Sequence, residues 1–194
     1  MTTPQSVTGA LSAMRRRDRG EGDAWIATML RTAATGTLAT LEGEQPFLNS
    51  NLFVFDEFTR AIYLHSTRIG RTRDNIDRDR RVCFCVMELG RLLPASTALE
   101  FSCEYASVVV FGSGTVVHDR VEATRALQLL LDKYFPDLSP GTDYRAITDE
   151  ELDRTAVFRI AIEEWSGKRK RVPGDFPGAR AHGAPSMLGE EPNP

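Results

Sequence analysis

From Gly36 onward much of the chain alternates apolar and polar residues with a period of two, the spacing of side chains on extended strands. Gly36–Leu41 and Pro46–Phe55 form the first pair, and Glu42-Gly43-Glu44 between them predicts a tight hairpin turn. Phe47, Asn49, Asn51, Phe53 and Phe55 share one face of the second strand; Leu48, Ser50, Leu52 and Val54 share the other. Two asparagines inside an apolar strand need partners, which backbone, a ligand, or water at a sheet edge can supply. Further strands are expected at Ala61–Ser66, Val82–Met87, Tyr105–His118 and Ala156–Ile162. Gly112 and Gly114 within the long Tyr105–His118 segment predict a bulge or a sharp bend.

Helical spacing interrupts this pattern. Asp23 stands where it can cap a helix whose apolar face is Trp25, Ile26, Met29 and Leu30 and which ends before Gly36. Val121–Phe135 places Val121, Leu127, Leu130, Leu131 and Tyr134 near one face. Thr148 and Glu151 match a capping box opening a short helix. Glu88 to Glu104 has no clear period and reads as a long loop or covering segment. Many strands, hairpin signals and few helices predict a mainly β fold with flanking helices, a compact antiparallel barrel. Residues 1–20 read as a mobile arm, 21–171 as one domain, and 172–194 as a proline- and glycine-rich tail.

The stretch richest in candidate chemistry is Ile62 to Ile76. Alternation sends Ile62, Leu64 and Ser66 to one side of a strand and Tyr63 and His65 to the other. Gly70 permits a turn, and Arg71, Thr72 and Arg73 then occupy the first turn of a new helix. Unpaired helix amides, the favourable dipole end and two guanidinium groups make a site for a phosphate. The alternative is a solvated helix face, because Arg68 to Arg81 interleaves arginines with Asp74, Asp77 and Asp79 at pairing distance.

Composition narrows the function classes. A chain of 194 residues, 41% hydrophobic, can bury one sizeable core. A net charge of −3 gives no global attraction to nucleic acid or to an anionic membrane, and no apolar run is long enough to span a bilayer. The N-terminus lacks a hydrophobic signal core, so a cytoplasmic location is expected. Three cysteines without C-x-x-C spacing and three scattered histidines predict neither a disulfide framework nor a metal site. GSGTVV at Gly112 lacks the third glycine and opens no helix, which rejects a Rossmann site, and no phosphate-binding loop or nucleophile elbow occurs.

The segments GTLATLEGEQPFLNSNLFVF, AIYLHSTRIGRTRDNIDRDRRVCFCV, YASVVVFGSGTVV and VFRIAIEEWSGKRKR follow one another from residue 36 to residue 171. In that order, and over about residues 24–171, the chain resembles the pyridoxamine 5′-phosphate oxidase-like split-barrel flavoproteins, and most of all their nitroimidazole-resistance (Nim-type) branch. The resemblance implies a six-stranded antiparallel split β-barrel, dimeric, with FMN between the subunits. It implies that Asn49, Ser50 and Asn51 line the flavin ring, His65 and Ser66 lie at the ring and ribityl chain, and Arg71 with Thr72 holds the phosphate. Thr72 stands where relatives usually carry lysine, and Arg73 is placed to compensate. Ala106 replaces a basic residue often found between Tyr105 and Ser107, which this chain keeps. Trp165 and Arg169 resemble a C-terminal segment that reaches the partner's flavin, although an interface or core role suits Trp165 equally. The implied activity is FMN-dependent oxidoreduction of small molecules such as nitroaromatics or quinones, with His65 as proton donor. The alternatives are a carrier of FMN, F420 or haem without turnover, the haem ligand being His65 or His118, and a barrel that binds no cofactor.

Overall fold

The structure, a computed structural model, describes residues 10–183. In chain order it contains β1 (Gly20–Glu21), α1 (Asp23–Thr32), β2 (Gly36–Glu42), β3 (Gln45–Asn51), β4 (Val54–Asp56) and β5 (Ala61–Thr67). There follow α2 (Arg71–Arg78), β6 (Arg81–Leu93), β7 (Ser102–Val116), α3 (Arg120–Tyr134), α4 (Asp149–Arg154) and β8 (Thr155–Lys170). Among the described residues, all eight strands belong to one antiparallel sheet, in the order β3-β2-β6-β7-β8-β5-β4 with β1 added to β8. The outermost strands of that path, β3 and β4, are consecutive in sequence and only Leu52 and Phe53 separate them. The sheet therefore curls until its two ends nearly meet, leaving a split where they fail to pair. This is a split β-barrel with flanking helices.

Six strands were expected and eight are found. The expected strand Pro46–Phe55 is two, because at Phe53 the backbone turns from its neighbours to α3. The Phe53 amide donates to the Tyr134 hydroxyl (3.0 Å), and Lys133 Nζ donates to the carbonyls of Phe53 (3.0 Å) and Ala33 (2.8 Å). These partners satisfy buried groups that a ladder would otherwise hold. The Phe53 side chain enters the barrel and meets Phe84 edge-on at 4.8 Å. The other added strand, β1, is a two-residue pairing of Gly20 and Glu21 with β8.

Residues 88–93 and 102–104, expected in a loop, extend β6 and β7; a register shift between Leu89 and Leu92 absorbs the irregularity at Gly90. The strand expected to end at Ile162 runs on to Lys170, so Trp165 and Arg169 lie within β8. A bulge does occur between Phe111 and Gly112, where any Cβ on Gly112 would strike the Ala161 carbonyl.

One core fills the barrel, built from Leu38, Phe53, Ile62, Leu64, Phe84, Val86, Val108, Val110, Phe158 and Ile160, with α1 adding Ile26, Met29 and Leu30. A second packs α3 on the outside of β4, β5 and β8 through Ala123, Ala126, Leu130, Tyr63 and Val157. Val121, placed on that face from periodicity, is 79% exposed; the small residues Ala123 and Ala126 let the helix approach the sheet instead. Asp23 is the first residue of α1 rather than its cap, whereas the Thr148–Glu151 capping box forms as expected. The described part of the first twenty residues touches the sheet through Ser12, whose amide and hydroxyl donate to Glu164. Arg180 pairs with Leu92, and residues 184–194 of the expected tail lie outside the described residues. Among the described residues no helix is long and apolar enough to cross a membrane.

Candidate functional site

The split has a chemical consequence. On one side β5 pairs with β8 over its whole length, Ala61 to Thr67. On the other, β4 covers only Ala61 to Tyr63. Among the described residues, one edge of β5 is left without a strand from Leu64 to Thr67, and α2 begins just beyond it.

A cleft of about 210 Å³ opens at this place, lined by Phe47, Asn49, Ser66, Thr67, and Gly70 to Arg73. Gly70, at φ 153°, adopts a backbone conformation that side chains rarely allow, and it directs the chain into α2. Among the described residues no side chain caps that helix, which leaves its first N–H groups without a side-chain partner beside the cleft. Thr72 is buried, and its hydroxyl accepts from Asn49 Nδ2 at 3.2 Å. Asn51 Nδ2 in turn donates to the Asn49 carbonyl at 2.8 Å. The asparagines thus find partners on α2 and on their own strand. Arg71 lies 5.1 Å from the Phe47 ring centre, and its Nε is 3.2 Å from Glu42. Its exposed side chain keeps most of its donors free. Arg73 is more committed, to Asp77 (3.4 Å) and to the Arg68 carbonyl (3.3 Å). Helix amides, the exposed Arg71 guanidinium with its remaining donors beyond the Glu42 contact, and two polar side chains fit a phosphate monoester.

Ser50 points away from this cleft and bonds Thr37 across the β2–β3 pair at 3.1 Å. His65 also leaves it. Alternation sends Ser66 into the cleft and His65 to the α3 side, into a groove of about 380 Å³ whose walls include Leu52, Leu127, Leu130, Tyr134 and Arg145. The apolar walls on one side of the imidazole push its pKa below the usual value, although the residue remains exposed to solvent. His118 is exposed beside Arg68, Arg73 and Arg120 in a small polar crevice.

The remaining sequence candidates lie elsewhere on the same chain. Tyr105 and Arg169 line a third cavity, under α1. Ser107 pairs in register with Met87 and Lys168. The Trp165 indole N–H is taken by Asp23 (2.7 Å), and the Arg60 guanidinium stacks on its ring at 4.3 Å, which ties α1 to β8. One chain therefore brings together Asn49, Ser66, Arg71, Thr72 and Arg73, with Asn51 one bond away. It leaves Ser50, His65, Tyr105, Ser107, Trp165 and Arg169 apart from them. The groove facing His65 was missed as a site. Its one sequence signal was the Leu127, Leu130, Leu131 and Tyr134 face, which reads equally well as plain core. Among the described residues no cluster of three or more His, Cys, Asp or Glu is placed to hold a metal ion.

The solved structures similar to this chain share its fold at low identity. The flavocytochrome Anf3 from Azotobacter vinelandii matches with a TM-score of 0.72 and 20% identity, over 94% of this chain and 87% of that one. A FAD and heme binding protein from Mycobacterium smegmatis matches with a TM-score of 0.71 and 21% identity, over 79% and 74% of the two chains. A protein described as a 5-nitroimidazole antibiotic resistance protein, from Bacteroides thetaiotaomicron, gives 0.63 and 19%, over 77% and 84%. No curated protein matches the sequence. The family of pyridoxamine 5′-phosphate oxidase matches residues 23–169, a span that holds the whole barrel from α1 almost to the end of β8, and the chain belongs to that family.

Proposed function

We propose that the protein is an FMN-binding oxidoreductase acting on small molecules such as nitroaromatics or quinones, and that it works in the cytoplasm as a homodimer. The observation that carries this reading is the cleft between β3, the free edge of β5 and the uncapped start of α2. Arg71 and Thr72 would hold the flavin phosphate there, with Arg73 as a second cation. Asn49, Asn51 and Ser66 would offer hydrogen bonds to the polyol and the ring edge, and Ser50 would stay on the outer sheet face. When bound, the flavin supplies the electron transfer; the chain binds it, orients it and excludes water from it. His65, its pKa lowered in its groove, would hold or relay a proton for a substrate entering from the α3 side.

The dimer reading rests on the division of the site. Tyr105, Ser107, Trp165 and Arg169 do not reach the cleft of their own chain, so in this reading those of a second copy would complete it. Leu48 on β3 and Met87 and Leu89 on β6 are exposed apolar residues of the outer sheet face that such a partner would cover. The visible absorption spectrum of the purified protein, before and after adding FMN, tests the cofactor. Two flavin bands that remain after gel filtration are expected; a colourless protein that retains no added FMN overturns the reading.

A second reading, a haem-binding protein, is favoured by one observation. His65, its imidazole pKa lowered, faces leucines and aromatic rings, and Arg145, paired with Glu151 at 2.9 Å, lies at the rim. Two of the similar structures are of proteins described as a flavocytochrome and as FAD and heme binding. A Soret band on adding haemin, lost in His65→Ala, would support it. The crevice beside His118, about 90 Å³, is too small for a haem.

A further inference from the structure

Helix α2 is fastened to the barrel by side chains that share one sheet face. Alternation on β2 sends Leu38, Thr40 and Glu42 to that face, and register puts Phe47 and Asn49 of β3 beside them, opposite Thr40 and Leu38. Arg71 reaches Glu42 and the Phe47 ring, the Thr72 hydroxyl accepts from Asn49, and Asn75 Nδ2 donates to Thr40 Oγ1 at 2.9 Å. The last tie differs from the others in its surroundings. The Arg71–Glu42 contact is exposed and the Thr72–Asn49 bond borders the cleft, whereas Asn75 is 0% and Thr40 2% exposed and neither lines the cleft.

Asn75 Oδ1 has no hydrogen-bond partner, the one such buried side-chain atom among the described residues. A buried acceptor left unpaired costs stability. Its neighbour Ile76 enters the barrel core, and a leucine in place of Asn75 would extend that core and remove the unpaired oxygen. Apolar contact is non-directional, however, and would let the helix slide and roll on the sheet. The amide–hydroxyl bond is directional. It lies about one helical turn beyond Thr72 on the same helix face, so the two bonds together fix both the height of α2 and its rotation. The first turn of α2, with its amides, Arg71 and Thr72, is thereby set against the cleft.

We propose that Asn75 is a positioning residue for the phosphate of the cleft's ligand: its bond to Thr40 holds the start of α2 where the first-turn amides, Thr72 and Arg71 converge on one anion. This role rests on the cleft being the flavin phosphate site, and it belongs to a residue that touches no ligand. Fluorescence titrations of the full chain with FMN and with riboflavin, which lacks the phosphate, test it. The preference for FMN over riboflavin should fall about tenfold in Asn75→Leu and in Thr40→Val, with riboflavin affinity within about twofold of the parent. Thr40→Ser keeps the hydroxyl and should keep the preference. The double variant Thr40→Val with Asn75→Leu should lose no more than either single one, because all three lack the same bond. In denaturant titrations Asn75→Leu should unfold at or above the parent midpoint and Thr40→Val below it, since only Thr40→Val leaves both ends of the Asn75 amide unpaired. Should Asn75→Leu not fold, Thr40→Val, which alters side-chain shape least, still decides. Equal losses of FMN and riboflavin affinity, the signature of a merely structural role, overturn the proposal. A preference lost in Arg71→Ala yet kept in Asn75→Leu and Thr40→Val overturns it and leaves the cleft reading intact. A parent that binds FMN no better than riboflavin overturns the cleft reading and the positioning role with it.

Discussion

Strand β5 separates two sites of opposite character. On one side Ser66 faces a cleft made of helix amides, asparagines and arginines, exposed and thinly packed. One residue earlier, on the other side, His65 faces leucines and aromatic rings that also belong to the second core. Neighbouring residues of one strand thus serve different chemistry, because the pleat directs them apart. Apart from the buried Thr72, the polar site is built from exposed or half-buried side chains, and Arg71 at its mouth contributes little to stability. The apolar site is inseparable from the fold, so its residues cannot be changed without cost.

The comparison is most sharply tested at Leu130, which is 5% exposed and lines the groove. Leu130→Ala should lower unfolding stability by about 2–5 kcal/mol in a denaturant titration while leaving FMN affinity nearly unchanged. Arg71→Ala should do the reverse. Flavin affinity should fall by roughly 1.5–3 kcal/mol in a fluorescence titration, with stability within about 0.5 kcal/mol of the parent. A mutant of Arg71 that unfolds easily but still binds FMN would erase the distinction between the two sides.

Tyr134 bridges them, since its hydroxyl accepts from the Phe53 amide at the split. Tyr134→Phe leaves that amide without its partner and should cost about 1–3 kcal/mol of stability. Because the split also frees the edge of β5, faster amide exchange at Phe53 and Leu64–Thr67 is the accompanying signature.

The smallest effect is a pH dependence. The imidazole of His65 titrates below its ordinary range in the fold. As pH falls below the unfolded value of about 6.5, the unfolded chain takes up the proton first, so His65 makes stability decline toward acid and its penalty is absent above that pH. An NMR titration should place the His65 midpoint below the ordinary histidine value of about 6.5, and His65→Asn should flatten the stability curve between that midpoint and neutral pH. A midpoint above the ordinary value would mean that the groove does not withdraw water from the ring.

How much of this was legible in the chain differs between the two sites. The cleft could be read almost whole from Ser66 to Arg73, because a strand, a glycine turn and a helix start are local events that eight consecutive residues specify. The alternation that divides His65 from Ser66 was legible too, but what each side faces was not. The break at Leu52–Phe53 has no turn residue to announce it; it exists because Lys133 and Tyr134, some eighty residues away, offer better partners for that backbone than a neighbouring strand does. The extensions of β6 to Leu93 and β8 to Lys170 were hidden for a similar reason. Gly90, Gly167 and the charged residues around them do not favour strands, and pairing with β7 overrides that preference.

By itself, then, the chain determined its elements wherever local periodicity and turn chemistry suffice, together with the family and the cationic corner that starts α2. The tertiary structure decided where the barrel splits, which strand edge is left open, and that several cavities rather than one surround the sheet. Those outcomes depend on pairings between residues far apart in sequence, and backbone groups settle with whichever partner the closed barrel brings within reach.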